Sequence, residues 1–313
     1  MLLVLIGLLA GVYTQQQALR DWWLLRGYVA PAVVAQLATD DTMTAKAQHM
    51  FYVNHPDVTT GKAFTKNCPV GSEKTVVLGC YIGRDAGIFV YAVTDPRLNG
   101  VEQVTAAHEM LHAAYRRLSS GERSKVNAML TDYYRQGLTD QRIKDTVEAY
   151  KKSEPKDVVN EMHSIFGTEV AGLPAPLEAY YKQYFGNRAK VTAFTARYQG
   201  EFTSRQTQVA SYDAQLKTLG VQIDANEALL SQQKAALDSQ SAQLQSQRSS
   251  GQIEAYNNGV GAYNRAVNTY NALVASTKNL IKQYNDIVTA RNAIAVEEQQ
   301  LVQALSASSL PGN

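Results

Sequence analysis

The sequence predicts an α+β protein: a small domain of short strands and helices with an antiparallel or mixed sheet, followed by a long antiparallel helical hairpin or coiled coil. Three observations carry this expectation. The 313-residue chain exceeds one average domain. None of its prolines falls between Pro176 and Pro311. Within that stretch, apolar residues recur every seven positions, whereas β-branched and aromatic segments of strand length lie earlier. With 45% apolar and 19% charged residues, the composition is that of a globular protein, which disfavours disorder, collagen and a fully membrane-embedded chain. A balance of 30 basic against 28 acidic residues also excludes a strongly basic nucleic-acid binder.

The chain opens on the apolar run MLLVLIGLLAGVY, Met1–Tyr13. A spanning helix needs about 20 such residues. The run has neither a positive leading region nor an A-x-A cleavage site. It reads as the tail of a membrane anchor, with a weak signal peptide and a buried core segment as the alternatives. Trp22 and Trp23, with Arg20 and Arg26, stand where interfacial aromatic and basic anchors sit, and a helix is expected around the Trp pair. Residues 1–27 are therefore assigned to an anchor and juxtamembrane segment, 28–187 to the folded domain, 188–308 to the hairpin and 309–313 to a tail. The expected location is membrane-anchored with the domain outside the cytoplasm, or secreted.

Strands are expected at Met50–Val53, Thr75–Tyr81 and Gly87–Val93. The two cysteines, Cys68 and Cys80, flank a turn leading into the second of these. A disulfide there would contribute on the order of 3 kcal/mol and would agree with export; two unrelated buried thiols are the alternative. Helical patterns follow at Val101–Leu118, Gly121–Gln136, Asp140–Lys152 and Lys156–Ala171. Ser119 with Glu122 makes a capping box before the second of them. Pro174 and Pro176 then precede a short aromatic helix, Leu177–Phe185.

In the hairpin, one arm repeats Val209, Leu216, Ile223, Leu230, Leu237 and Leu244, with a companion seam that begins Tyr212 and Leu219 and turns polar at Asn226, Gln233 and Gln240. The other repeats Tyr256, Tyr263, Tyr270 and Tyr284, beside Val260, Val267, Val274, Ile281 and Val288. Ser249, Ser250, Gly251, Gly259 and Gly261 supply the break between them. Such a hairpin suits a protein partner, self-association or a spacer.

Chemistry is concentrated in VTAAHEMLHAAYRRL. His108 and His112, four apart, share one face of a helix and present two imidazoles to one metal ion. Glu109 is offset by about 100° and stands beside that ion, the place of a general base acting on metal-bound water. Val104, Ala107, Leu111, Ala114 and Leu118 form the apolar stripe that buries the helix. A catalytic zinc site needs a third protein ligand and an open position. In VVNEMHSIFGTEV the foremost candidate is Glu161, which shares a face with Ser164, Ile165 and Thr168; Glu169 and His163 are the alternatives. His163 also suits a core position, a supporting role behind the ligands, or stabilisation of an oxyanion. Tyr115, Tyr180, Tyr181 and Tyr184 are candidates to polarise a carbonyl, with packing as their plainer reading. His49 and His55 read as surface or turn histidines.

HEMLH resembles the zincin metallopeptidases, and NEMHSIFGTE resembles the Asn-Glu segment of thermolysin-like gluzincins. The resemblance covers two short segments. It implies Zn²⁺ held by His108, His112 and Glu161, Glu109 as base, and a zincin-like catalytic domain at 28–187. It further implies a strand before the motif helix, here Gly87–Val93, whose edge holds an extended peptide or protein substrate. Ser164 or Asp157 would replace the acid that supports the ligands. Phosphate-binding, dinucleotide, nucleophile-elbow and EF-hand motifs are absent. The expectation is a zinc metallopeptidase. Its rival is a non-catalytic, membrane-tethered envelope scaffold with a closed structural metal site of four protein ligands and a partner-binding coiled coil.

Overall fold

The computed structural model describes residues 16–68, 78–83 and 86–306. The apolar run Met1–Tyr13, the segment Thr75–Val77 of the second expected strand and the tail 309–313 lie outside the described residues. The chain divides into two compact units, Met1–Glu201 with Gln300–Asn313, and Phe202–Gln299.

The first unit opens with α1 (16–25), α2 (Ala32–Asp40), α3 (Ala45–Tyr52), β1 (Asp57–Thr59), α4 (Gly61–Asn67), β2 (Gly79–Ile82) and β3 (Gly87–Tyr91). It continues through a 3-10 turn (Pro96–Leu98) into α5 (Val101–Arg116), α6 (Ser120–Gln136), α7 (Gln141–Ser153), α8 (Val158–Glu169) and α9 (Ala175–Tyr181). The predicted capping box is formed at the start of α6: the Ser119 hydroxyl accepts the Glu122 N–H, and the Glu122 carboxylate accepts the Ser119 N–H at 2.8 Å. Asp140 caps α7 in the same way, through the Ile143 N–H.

Two expectations about strands are corrected. The expected strand Met50–Val53 is not formed: Met50, Phe51 and Tyr52 end helix α3 and Val53 is its C-cap. Thr44 caps that helix by accepting the Ala47 N–H, and Ala45, Lys46 and Ala47 are helix formers, so the local start signal outweighs the strand-like sequence MFYV. β3 is not an edge. The three-stranded sheet runs β1-β3-β2, with β1 parallel and β2 antiparallel to β3, so β3 is paired on both sides and β2 is the outer strand nearest in sequence.

α5 is the centre of this unit. It packs against α8, β2, β3, α2 and α3, and buries Val104, Ala107, Leu111 and Ala114 of the predicted stripe. The main core joins Ala107, Leu111 and Ala114 of that stripe to Phe51, Ile88, Val90, Ile165, Phe166 and Tyr181. Each large side chain fully buried there contributes about 1.5–3 kcal/mol. At the N-terminus of α5, Gly100 has φ +109° and a Cβ on it would lie 2.9 Å from the Phe194 carbonyl oxygen, so the position admits only glycine. Glu102, in the first turn, accepts the Val93 N–H at 2.7 Å and ties the exit of β3 to the helix. On the other face of the sheet, Cys68 and Cys80 are joined as a disulfide in a small cluster with Phe64 and Tyr91. After α9, Arg188 reaches back to the end of α8, donating to the carbonyls of Val170 at 2.6 Å and Ala171 at 3.0 Å and pairing with Glu178.

The second unit is a helical hairpin built from α10 (Arg188–Ser249) and α11 (Ile253–Leu305) within residues 202–299. The turn is shorter than expected: Gly251, at φ +76°, ends α10, and Gln252 donates its N–H to Gln247. Gly259 and Gly261 are helical. A Cβ on Gly259 would meet Leu244 Cδ2 at 2.7 Å, so that glycine serves the approach of the two arms and not the bend. Arg291 pairs with Asp213 and Arg205 with Glu297, both symmetric about the turn, as Leu244 and Gly259 are. The heptad leucines are half-buried, while Ile281, expected in the second seam, is 38% exposed.

Gly167 of α8 sets the spacing to α5, because a Cβ there would lie 2.4 Å from Leu111 Cδ1 and 2.8 Å from Tyr181 Cε1. Gly167→Ala is expected to cost about 1–3 kcal/mol and to lower the thermal midpoint by about 2–10 °C. An unchanged melt would show that the helices separate without penalty.

Candidate metal centre

The two histidines of HEMLH arrive on one side of α5, and the α8 segment that carries Glu161 packs across it. His108 Nε2 and His112 Nε2 lie 3.0 Å apart. Glu161 Oε2 is 3.6 Å from His108 Nε2, and its Oε1 is 3.4 Å from His112 Nε2. An ion held tetrahedrally with bonds of about 2.1 Å places its ligand atoms about 3.4 Å from one another. The separations among the two imidazole nitrogens and the two Glu161 oxygens that face them lie close to that value, and one ligand atom from each of the three residues falls within 4.8 Å of the others. The donor set, two imidazole nitrogens and a carboxylate oxygen, therefore fits one divalent cation, and among the described residues it is a group of three protein ligands.

Burial alone would raise the Glu161 carboxyl. Hydrogen bonding to His108, the charges of His112 and His108, and a hydrogen bond from the Tyr150 hydroxyl outweigh it and hold the group below its ordinary range. The carboxylate is thus kept ionised inside the protein, the form a cation needs. Tyr150 is the functional residue that sequence reasoning missed. On α7 it continues the Ile143 and Val147 stripe, so its periodicity is that of a core residue. Its hydroxyl is pushed up by burial and by the nearby Glu161 and Glu109 carboxyls, so it stays protonated and donates. It acts on the Glu161 carboxyl, where the sequence suggests Ser164 or Asp157. Asp157 is exposed at the start of α8, and the buried Ser164 hydroxyl has no hydrogen-bond partner.

Glu109 is only 7% exposed. Burial first, and the Glu161 charge second, push its carboxyl up to about 7, with His112 and the Tyr81 N–H pulling the other way. Tyr81 lies on β2, so the outer strand of the sheet hands a main-chain donor to this acid. Gly79 makes the approach possible: a Cβ there would lie 2.4 Å from Thr105 Cγ2 and 3.0 Å from Glu109 Oε1. A glycine at the start of a short strand was the available signal for this close approach.

The alternatives for the third ligand sit elsewhere. Glu169 forms an ion pair with Arg142 at 2.6 Å. His163 is fully buried, its Nε2 2.8 Å from the Tyr180 hydroxyl and its ring among Tyr115, Tyr180, Tyr181 and Tyr184. Burial, reinforced by His112 and His108, drives it down to about 3, so it stays neutral. The tyrosine hydroxyls are also engaged: Tyr115 donates to Asn127 at 2.8 Å, Tyr181 to the His163 carbonyl at 2.7 Å, and Tyr184 pairs with Tyr180. His49 contacts Asp21, and His55 bonds to the Leu24 carbonyl.

No family model, curated protein or solved structure matches this chain.

Two outcomes follow from these environments. Tyr150→Phe removes the donor to Glu161 and is expected to weaken metal affinity by about 10–100-fold, read by competition with a chelating dye. For Glu109, the native form binds its proton more tightly than the unfolded chain does. The metal-free protein therefore loses stability as pH rises from the unfolded value near 4.5 to about 7, and the loss is complete above that. Glu109→Gln is thus expected to raise metal-free stability by up to about 3 kcal/mol at pH 8 and by little at pH 4, checked by denaturation at both. An equal effect at the two pH values would show that the carboxyl is not buried as described.

Proposed function

We propose that this protein is a zinc-dependent metallopeptidase. One observation carries the reading: His108 and His112 of α5 and Glu161 of α8 bring one ligand atom each within 4.8 Å of one another, and the buried acid Glu109 adjoins His108 on the same helix. His108, His112 and Glu161 hold the ion. Zinc, when bound there, would supply Lewis acidity toward water and a carbonyl oxygen. Glu109 accepts the proton of the attacking water and returns it to the departing amine, for which a carboxyl pushed up to about 7 is well matched. The Tyr150 hydroxyl helps to keep Glu161 ionised. An extended peptide is best accommodated along β2, the outer strand that passes Glu109, and not along β3.

The structural-site alternative requires a fourth protein ligand such as His163, which, among the described residues, is not one whose ligand atoms gather with those of His108, His112 and Glu161. The disulfide Cys68–Cys80 is compatible with an oxidising compartment.

Zinc content and hydrolysis of a quenched peptide library, compared in wild type and Glu109→Gln, test the reading. The variant is expected to keep one zinc per chain and to lose turnover by about 10²–10⁴-fold. Equal turnover would remove the role given to Glu109. Zinc lost on Glu169→Ala but kept on Glu161→Ala would overturn the ligand set.

A further inference from the structure

The outer face of α1 is unusual for a helix in water. Leu19 is 52% exposed, Trp22 62% and Trp23 69%. At 100° per residue these three and Arg26, just past the helix end, fall within an arc of about 100°. Asp21 points the opposite way. It is buried, and receives Arg117 through Nη1 at 2.7 Å and Nη2 at 3.0 Å, His49 Nε2 at 2.8 Å and Gln17 Nε2 at 2.8 Å. His55 adds a hydrogen bond to the Leu24 carbonyl at 2.8 Å. Arg117 directly follows α5, so α1 is fastened to the helix that carries the two histidines while its aromatic face is turned outward.

The chemistry of that face selects its occupant. Each indole offers a large apolar area with one polar N–H, the character of a residue at a water–lipid boundary. Arg20 and Arg26 are the basic residues beside it, both exposed, with the Arg26 guanidinium 5.6 Å from the centre of the Trp22 ring. The one acid in residues 16–25, Asp21, is compensated by Arg117, and Arg26 brings a positive charge to the aromatic face. In sequence, the apolar run Met1–Tyr13 ends just before α1. Aromatic, leucine and arginine side chains on one face, next to an apolar run shorter than a membrane span, suit the surface of an anionic bilayer.

We infer that α1 is a membrane-surface docking element, in which Leu19, Trp22 and Trp23 enter the interface of an anionic bilayer and Arg26 meets its headgroups. This inference is independent of the metal chemistry.

Trp22 and Trp23 are the only tryptophans in the chain, so the intrinsic tryptophan emission of the full-length protein reports on this face alone. The probes are vesicles of phosphatidylcholine with one quarter phosphatidylglycerol, vesicles of phosphatidylcholine only, and the anionic vesicles with spin labels placed shallow or deep on the acyl chains. Expected are an emission maximum typical of exposed indole in buffer, a shift to shorter wavelength on anionic vesicles, and stronger quenching by the shallow label than by the deep one. Arg26→Gln is expected to weaken binding to the anionic vesicles about five-fold and to leave binding to phosphatidylcholine unchanged. Any of four results would overturn the inference. One is a short-wavelength maximum already present in buffer, which would mean that part of this chain covers the indoles. Another is cosedimentation with vesicles without change in emission or quenching, which would assign binding to the apolar run. The others are absence of vesicle binding, and equal response to both lipid mixtures.

Discussion

Where Leu111 of α5 meets Gly167 of α8 there is no space for a single additional methyl group, and the metal centre depends on that contact. His108 and His112 are placed by one turn of one helix, but Glu161 comes from 49 residues further along and reaches them only because α8 lies against α5. The same packing encloses two acids, Glu109 and Glu161, and enclosing acids is unfavourable. The two are treated differently. Glu161 is compensated by imidazoles and a tyrosine hydroxyl and stays ionised; Glu109 has a lone main-chain donor and shifts toward its neutral form. Opposite pressures on neighbouring carboxyls are what the proposed division between a ligand and a proton acceptor requires. Arg188 holds the end of α8 and Glu102 the start of α5, so both helices are pinned outside the site itself.

Those parts of the architecture that depend on residues close in the chain were legible in the sequence. HEMLH needs only a helix to bring its imidazoles together, and the Ser119–Glu122 cap and the stripe from Val104 to Ala114 are equally local. Glu161 was legible because its helical face is polar within an otherwise apolar segment. Strand order was not, because the placement of β3 between β1 and β2 is decided by pairings across the fold. Tyr150 was hidden for a different reason: its spacing is that of a core residue, and only the packing of α7 on α8 shows that its hydroxyl meets a carboxylate. MFYV misled because its three β-favouring residues, Phe51, Tyr52 and Val53, weigh less than a capped helix start behind them.

The hairpin shows how a seven-residue repeat behaves when only two helices share it. A two-stranded seam covers one side of each helix, which leaves Val209 through Leu244 half-buried and none of them a true core residue. Leu244 against Gly259, Asp213 against Arg291 and Arg205 against Glu297 keep one register along residues 202–299. Polar positions such as Asn226 and Gln233 in the seam reduce the apolar area available to hold it, so register rests on these few cross-arm contacts.

The contact between Glu109 and the Tyr81 N–H has an unusual genetic property. Because the donor belongs to the main chain, replacing the tyrosine with alanine, serine or any other residue that retains an amide hydrogen leaves the donor intact; proline alone deletes it. Side-chain scanning would pass over position 81 as far as the acid is concerned. The orientation of that acid is written into the path of the polypeptide and is thereby shielded from most single-codon changes.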